Sequence, residues 1–396
     1  MNILFYCDEY PPYITGGIGS VTKIIAEELV RRGHCVYVIG YYPFEKVKEQ
    51  ITISNGVHIY RYNLNLRTSK LSQLVLSKIS KNNFINKLII QKEVSYIENK
   101  IEQVLVEKNI DILELTDYYQ FNKFANNLKF KKFKTPTFLR IHGSAYIVSK
   151  HQNLRNIEYI KQNDIKHLQR CDYISSVSKF SLNCITNEFP FLQEKESSII
   201  YNPIENSFVQ NSETKDSSTI LFIGKVVESK GCYNLIKAFN KCAKQHNNIK
   251  LQIIGNGNIK EAMSLIDPSI KEQVIFEGYC NRATIKEAID NCSFACIPSF
   301  FENFSMVALE IMARKKALIY TNRASGKEII DDGINGILVD PDSVEMITNK
   351  INLLIEDPKY KNKLAENAQN TIKKEFTTSV IIKKIEDLYF SKIKKS

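Results

Sequence analysis

Glu302 and Glu310 stand eight positions apart in Pro298-Ser-Phe-Phe-Glu302-Asn-Phe-Ser305-Met-Val-Ala-Leu-Glu310-Ile-Met312. The stretch reads as a strand end, a short loop and a helix starting near Ser305. The Ser305 hydroxyl suits the amides two or three residues on. Around Glu310 the helix is apolar on nearly every side, the mark of a buried helix. A buried carboxylate is costly unless paired or hydrogen-bonded, so Glu310 needs a partner. One candidate is Arg314, four residues on, along a wet strip of helix. The other is two neighbouring hydroxyls of a ligand, as on a ribose. Glu302 lies in the loop at the helix mouth. At about 1.5 Å per helical residue, the two carboxylates would face one cavity roughly as long as a nucleotide sugar. The free N–H groups of the helix start would lie between them.

Two lysines supply the opposite charge. Gly224-Lys225-Val-Val-Glu-Ser-Lys230-Gly231 follows the strand-like run 219–223 and opens a helix carrying Leu235, Ile236, Phe239 and Cys242. A cation at a helix N-terminus is mildly unfavourable, and a bound diphosphate would reverse the sign. Lys225, at the strand's carboxyl end, points into the same crevice. The plainer alternative is two solvated lysines in a loop. His142, in Thr137-Phe-Leu-Arg140-Ile-His142-Gly143-Ser144, stands just past a strand end, where α/β sites form. A lone histidine is otherwise more often structural. Gly16-Gly17-Ile-Gly19 opens a helix and is either a phosphate loop or a plain turn, because the dinucleotide fingerprint spacing is absent. The strand through Asp111 ends in Asp117-Tyr118-Tyr119.

These residues need strand ends to hold them, and the pattern supplies strands. In the first half they are expected at 2–7, 35–39, 57–61, 111–119, 137–141, 173–177 and 198–201. In the second half they are expected at 219–223, 251–254, 274–276, 294–297, 317–320 and 337–339. Helical spacing fills the gaps, including a long polar-basic stretch from Leu66 to Lys108. There Leu71, Leu74, Val75 and Ile79 alternate with Lys70, Lys78 and Lys81. That stretch is either an ordinary surface helix or an amphipathic one on an anionic membrane. The polar run 210–218 is the best linker.

At 396 residues the chain exceeds one ordinary core, so two domains are expected. The nine cysteines are scattered, without zinc-type pairing, and are expected to be reduced and cytosolic. No signal peptide and no apolar run long enough to span a bilayer is visible. The net charge is +11, of which residues 1–200 carry +8. Such a balance suits an anionic neighbour or reflects a lysine-rich composition. Nucleic acid is not expected, since the basic residues are not interleaved with aromatics on one element.

The Glu302/Glu310 motif resembles the Glu-x7-Glu signature of the family-4 retaining glycosyltransferases, which have the GT-B architecture. The 224–231 stretch resembles that family's Gly-Arg-x4-Lys-Gly diphosphate motif, with Lys225 in place of the arginine. This keeps the charge and loses the bidentate fork. His142-Gly143, Tyr201-Asn202-Pro203 and Gly326-Lys327-Glu328 match further family positions. The resemblance implies two Rossmann-like α/β domains. One spans 1–203 joined by a C-terminal helix at about 377–396, the other 204–376. It implies sugar transfer from a nucleoside diphosphate sugar, retaining, to a glycan or lipid-linked acceptor, without a metal or other cofactor. Bacterial surface polysaccharide synthesis in the cytoplasm, with peripheral membrane contact, is the setting it suggests. Glu302 and His142 would face the reacting sugar. Gly16, Gly17, Lys225, Lys230, Asn303, Phe304, Ser305 and Glu310 would bind the donor, and Asp117 would contact the acceptor. A non-catalytic donor-binding subunit and a sugar-nucleotide epimerase are the alternatives.

Overall fold

Strands covered on both faces need apolar side chains throughout, and Ile-Leu-Phe-Tyr and Phe-Ala-Cys-Ile have that character. The computed structural model describes the chain apart from residues 13–15, 44–48, 67–83, 152–153, 155–156, 210–216 and 394–396. It divides into two units, Met1–Pro203 with Ile381–Ser396, and Ile204–Val380.

The first unit contains β1 (Asn2–Tyr6), β2 (Cys35–Tyr41), β3 (Glu49–Ser54), β4 (Val57–Tyr62), β5 (Ile112–Thr116), β6 (Thr137–Ile141), β7 (Tyr173–Ser176) and β8 (Ser197–Ile199). They form one sheet in the order β3-β4-β2-β1-β5-β6-β7-β8. Every pairing is parallel except β3 with β4. The edge strand β3 was not among the expected strands. Its signal is Asn55-Gly56, a two-residue hairpin turn with φ of 50° and 80°. Such turns require positive φ, which Gly and Asn accept. Because β3 is largely exposed, its sequence lacks the continuous apolar run that marks its neighbours.

Helix Gly17–Arg31 buries Val21, Ile25 and Leu29, and helix Phe84–Glu107 buries Ile90, Val94, Ile97 and Ile101. The basic amphipathic pattern at 70–81 lies outside the described residues. Helix Thr378–Ile393 returns to this unit, where Ile381, Ile382, Ile385 and Tyr389 are buried. The Tyr389 hydroxyl donates to Glu114 Oε2 at 2.5 Å, and its ring centroid lies 5.0 Å from that of Phe138. Near the same helix's end, Glu386 accepts from Arg32 at 2.7 Å and lies 2.9 Å from the His34 ring.

The second unit contains β9 (Thr219–Ile223), β10 (Lys250–Ile254), β11 (Val274–Gly278), β12 (Phe294–Ile297), β13 (Ala317–Thr321) and β14 (Ile337–Val339). All six are parallel, in the order β11-β10-β9-β12-β13-β14. Helix Cys232–Gln245 packs Leu235, Ile236, Phe239 and Cys242 into the core. The unit's two ends meet, with the Ile204 amide donating to Phe376 O and the Thr378 hydroxyl to Ile204 O, both at 2.8 Å.

Both sheets start near the middle, run outward, then jump back across the starting strand. The jump falls between β1 and β5 in the first unit and between β9 and β12 in the second. Beyond the carboxyl ends of two such strands, loops diverge and leave a crevice. The candidate residues stand at these two places.

Candidate active site

In the second unit, the loop after β9 carries Lys225 and Lys230, and the loop after β12 carries Glu302. The strand reversal makes these loops neighbours. The Phe300 amide donates to Ser229 O at 3.0 Å, and the Ser299 hydroxyl reaches Lys230 O at 3.5 Å. Gly231 makes the approach possible. Its φ is 71°, and a Cβ there would lie 1.9 Å from Pro298 O. With the backbones joined, Lys230 Nζ meets Glu302 Oε1 at 2.7 Å. Lys225 is exposed, in a loop whose Val226 amide donates to Asn256 O at 2.9 Å and whose Val226 carbonyl accepts from the Asn258 amide at 2.8 Å. That Gly255-Asn-Gly257-Asn turn supports the lysine loop and was not singled out above. Two glycines straight after an apolar strand were its signal.

Ser305 caps helix Met306–Ala313, its hydroxyl accepting from the Ala308 amide at 3.2 Å. Glu310 is 5% exposed, as the apolar helix predicts. Its partner is not Arg314, which grips Asp290 through two bonds of 2.6 Å. Arg282, at the start of helix Arg282–Asn291, holds Glu310 Oε1 at 3.2 Å and Glu205 Oε2 at 3.1 Å, with its guanidinium 5.0 Å from the Phe208 ring. Burial outweighs the Arg282 charge, and the nearby Glu205 adds to it, so the Glu310 carboxyl is pushed up to about 7. Sequence reasoning missed Arg282 and Glu205, since neither shares an element with Glu310. Asn303 is half-buried beside Glu302. Phe304 departs from the donor-contact expectation for its side chain. It is 7% exposed and its ring packs toward Phe376, 5.9 Å between centroids.

In the first unit, His142 follows β6 as expected. Asp117, after β5, takes a different part from the one expected. Its carboxylate is wholly buried, accepting from the His142 and Gly143 amides at 2.8 Å each. It therefore fixes the histidine loop and presents no surface to an acceptor. Burial and the charge of Asp164 hold it at about 7 in spite of those bonds. Asp164 accepts from the Tyr146 amide at 2.9 Å, pinning the helix that follows. Burial and the adjacent Arg140 press His142 down to about 3, so its imidazole is neutral at physiological pH. The buried His142 Nε2 has no hydrogen-bond partner among the described residues.

Gly16 and Gly17 open helix Gly17–Arg31, but an anion already sits at that end. A Cβ on Gly16 would lie 1.9 Å from Glu9 Oε2, and the Gly19 amide donates to the Glu9 carboxylate. A carboxylate at the positive end of a helix repels a second anion. The expected phosphate contact is thus disfavoured here, whereas a hydroxyl remains compatible. Gly17 faces open space. Among the described residues, no group of three or more His, Cys, Asp or Glu side chains is placed to hold a metal ion, and no helix is long and apolar enough to cross a membrane. All nine cysteines are free thiols.

Comparison with known proteins covers both units. Residues 203–371 match the family model for glycosyl transferases group 1, and residues 2–178 match that for the starch synthase catalytic domain. The chain is 27% identical to an uncharacterised glycosyltransferase of Methanocaldococcus jannaschii over 98% of each. It is 29% identical, over 50% of this chain and 56% of the other, to the N-acetylgalactosamine-N,N'-diacetylbacillosaminyl-diphospho-undecaprenol 4-alpha-N-acetylgalactosaminyltransferase of Campylobacter jejuni. The HepE protein of Anabaena, solved in complex with UDP and glucose, shares the fold with a TM-score of 0.70 and 17% identity, over 99% of this chain and 100% of that one.

Proposed function

We propose that this chain, whose residues 203–371 match the family model for glycosyl transferases group 1, moves a hexose-type sugar from a nucleoside diphosphate sugar to a hydroxyl of a glycan or lipid-linked acceptor, with retention at the anomeric carbon. The observation that carries this reading is the Lys230–Glu302 pair at the strand-order reversal of the second unit, with buried Glu310 one helix turn beyond the Ser305 cap. A carboxylate with a single arginine partner retains lone pairs for two vicinal hydroxyls. Glu310 is accordingly assigned to the ribose. Lys225, Lys230 and the amides at the start of helix Cys232–Gln245 would meet the diphosphate as its charge grows on departure.

The leaving phosphate oxygen would take the acceptor's proton on the same face as the bond being formed. Glu302 would then support positive charge on the anomeric carbon. Held by Lys230 while the site is empty, it would be released as Lys230 turns to the phosphate. His142 is given a neutral hydrogen-bonding part toward the sugar, and Gly17 an open backbone for its hydroxyls. The UDP-bound Anabaena structure supports a nucleotide donor, and the name of the Campylobacter relative supports a diphospho-undecaprenol-linked acceptor.

A thermal-shift screen against nucleoside diphosphates and their sugars tests the donor class. At 100 times its Kd, a true donor adds about 2.7 kcal/mol of stability. Proton NMR of the first product formed then reads its anomeric configuration. Stabilisation by one base class and an unchanged configuration are expected. No response to any nucleotide, or an inverted product, would overturn the reading.

A further inference from the structure

The Tyr320 hydroxyl is wholly buried and has no hydrogen-bond partner among the described residues. A buried phenol usually finds a partner, so an unpaired one asks for a cause. Its place in the second unit supplies one. Along β13, Ala317 and Ile319 point into the core shared with helix Cys232–Gln245. Side chains alternate along a strand, so Tyr320 faces the opposite side of the sheet. Helix Met306–Ala313 packs against β13, and the polar groups that act on the Tyr320 hydroxyl stand at that helix's start. They are the Ser305 side chain and the Glu302 carboxylate. The Ser305 oxygen already accepts from the Ala308 amide at 3.2 Å.

The backbone around Glu302 is fixed to β13 as well. Ile297 pairs in register with Tyr320, and the chain runs on from Ile297 to Glu302. The loop after β13 then holds the Glu302 carbonyl, which accepts from the Ser325 hydroxyl at 3.1 Å and from the Ser325 amide at 3.4 Å. In the same loop, the Arg323 guanidinium stands 5.3 Å from the Phe300 ring. With its main chain held, Glu302 can change partner only by turning its side chain. That side chain is engaged through Oε1 to Lys230 at 2.7 Å. Burial, and after it the charge of Glu302, pushes the Tyr320 phenol well above its ordinary pKa. The hydroxyl therefore keeps its proton and is available as a donor.

We propose that Tyr320 is the second holder of Glu302: its hydroxyl donates to the Glu302 carboxylate when Lys230 leaves for the donor's diphosphate, and keeps that carboxylate aimed at the reacting sugar. This rests on the reading of Lys230 and Glu302 as donor-site groups, and it adds a positioning residue to them. Sealed from solvent, Tyr320 acts through Glu302 and touches no substrate. The exchange pairs the buried phenol and keeps the carboxylate preorganised as charge develops.

The test is carbon NMR of the full chain labelled at the tyrosine ζ carbon, whose resonance moves when the hydroxyl donates to a carboxylate. Tyr320→Phe identifies the signal among the 20 tyrosines. Spectra are compared for the wild type alone, the wild type with UDP, GDP or ADP, Lys230→Met alone, and Lys230→Met combined with Glu302→Ala. The Tyr320 resonance should move in Lys230→Met without any nucleotide. It should move the same way when a nucleoside diphosphate binds the wild type, and return to its starting position in the double variant. With the donor selected by the thermal-shift screen, Tyr320→Phe should lower kcat about 10–100-fold, as for a hydrogen bond to a charged group, at unchanged donor KM and with a native melting curve.

An unmoved resonance in Lys230→Met overturns the proposal, and so does a movement that persists without Glu302. An unchanged kcat in Tyr320→Phe overturns it too. The two readings fail separately. Movement in Lys230→Met with no response to any nucleoside diphosphate keeps Tyr320 as the partner of Glu302 and defeats the nucleotide donor. A response to nucleotide with none in Lys230→Met does the reverse.

Discussion

Lys230 and Glu302, 72 positions apart in sequence, are joined by a 2.7 Å ion pair because a strand crossover makes their loops neighbours. Both side chains are partly exposed, so the pair itself adds little stability. Its value is the reserve of charge it keeps at the strand ends. Lys230→Met should cut turnover about 10²–10³-fold, the range for losing one preorganised donor. Its melting temperature should move by only a degree or two. Glu302→Gln should lower kcat with little change in donor KM. Initial rates beside a melting curve for each variant check both expectations.

Glu310 links donor binding to pH. Its carboxyl titrates at about 7 in the folded chain, against 4.5 for the ordinary group. Only the ionised form accepts from two hydroxyls, so donor affinity should fall as pH drops below about 7. The stability sign is opposite. A raised folded-state pKa contributes stability that is complete below the ordinary value and is lost as pH rises through the folded one. Glu310→Gln should therefore melt higher than wild type at pH 8 and lose that advantage by pH 4, while binding donor poorly throughout. Titration calorimetry of the donor and melting curves across this range read the two effects separately.

Arg282 tunes that carboxylate. Its charge lowers the Glu310 pKa, whereas that of Glu205 raises it. Arg282→Met should move the pH of half-maximal donor affinity upward, Glu205→Gln should move it downward, and Arg282→Lys should restore part of the shift. A loss that is merely structural would lower affinity equally at every pH. Donor Kd measured from pH 5.5 to pH 9 distinguishes them.

Asp117 holds the histidine loop by two backbone bonds. Asp117→Ala leaves the His142 and Gly143 amides unpaired in a buried place, at about 1–3 kcal/mol for each orphaned group. Urea unfolding should show a loss of at least ~2 kcal/mol, with donor binding by the second unit preserved. A wild-type unfolding midpoint would remove Asp117 from this part.

The sequence was legible where one element carries its own signal. Continuous apolar runs marked the parallel strands, and Ser305 marked the helix start that it caps. The burial of Glu310 followed from its own helix. Its partner did not, because Arg282 arrives from another helix and only the fold brings them together. Arg314, at helical spacing, was the local candidate and was taken instead by Asp290. Asp117 misled for a related reason. An acidic residue after a strand reads as exposed until the loop that wraps it is known. Exposed β3 was hidden because an edge strand keeps its polar residues, although Asn55-Gly56 did announce the turn. Glu9 was silent, since its place against Gly16 depends on the path of the intervening loop.

The return of helix Thr378–Ile393 to the first unit sets the order in which the two units can be completed. Tyr389, which closes over Phe138 and Glu114, is made only after the whole of the second unit. A protein leaving the ribosome generally folds its N-terminal domain first. Here the second unit, Ile204–Val380, is contiguous and emerges whole, while the first awaits its final helix. The first unit is therefore completed only after the second. Its sheet stays uncovered over Phe138 until that helix has emerged, and a ribosome stalled before residue 381 would hold a finished second unit and an open first one.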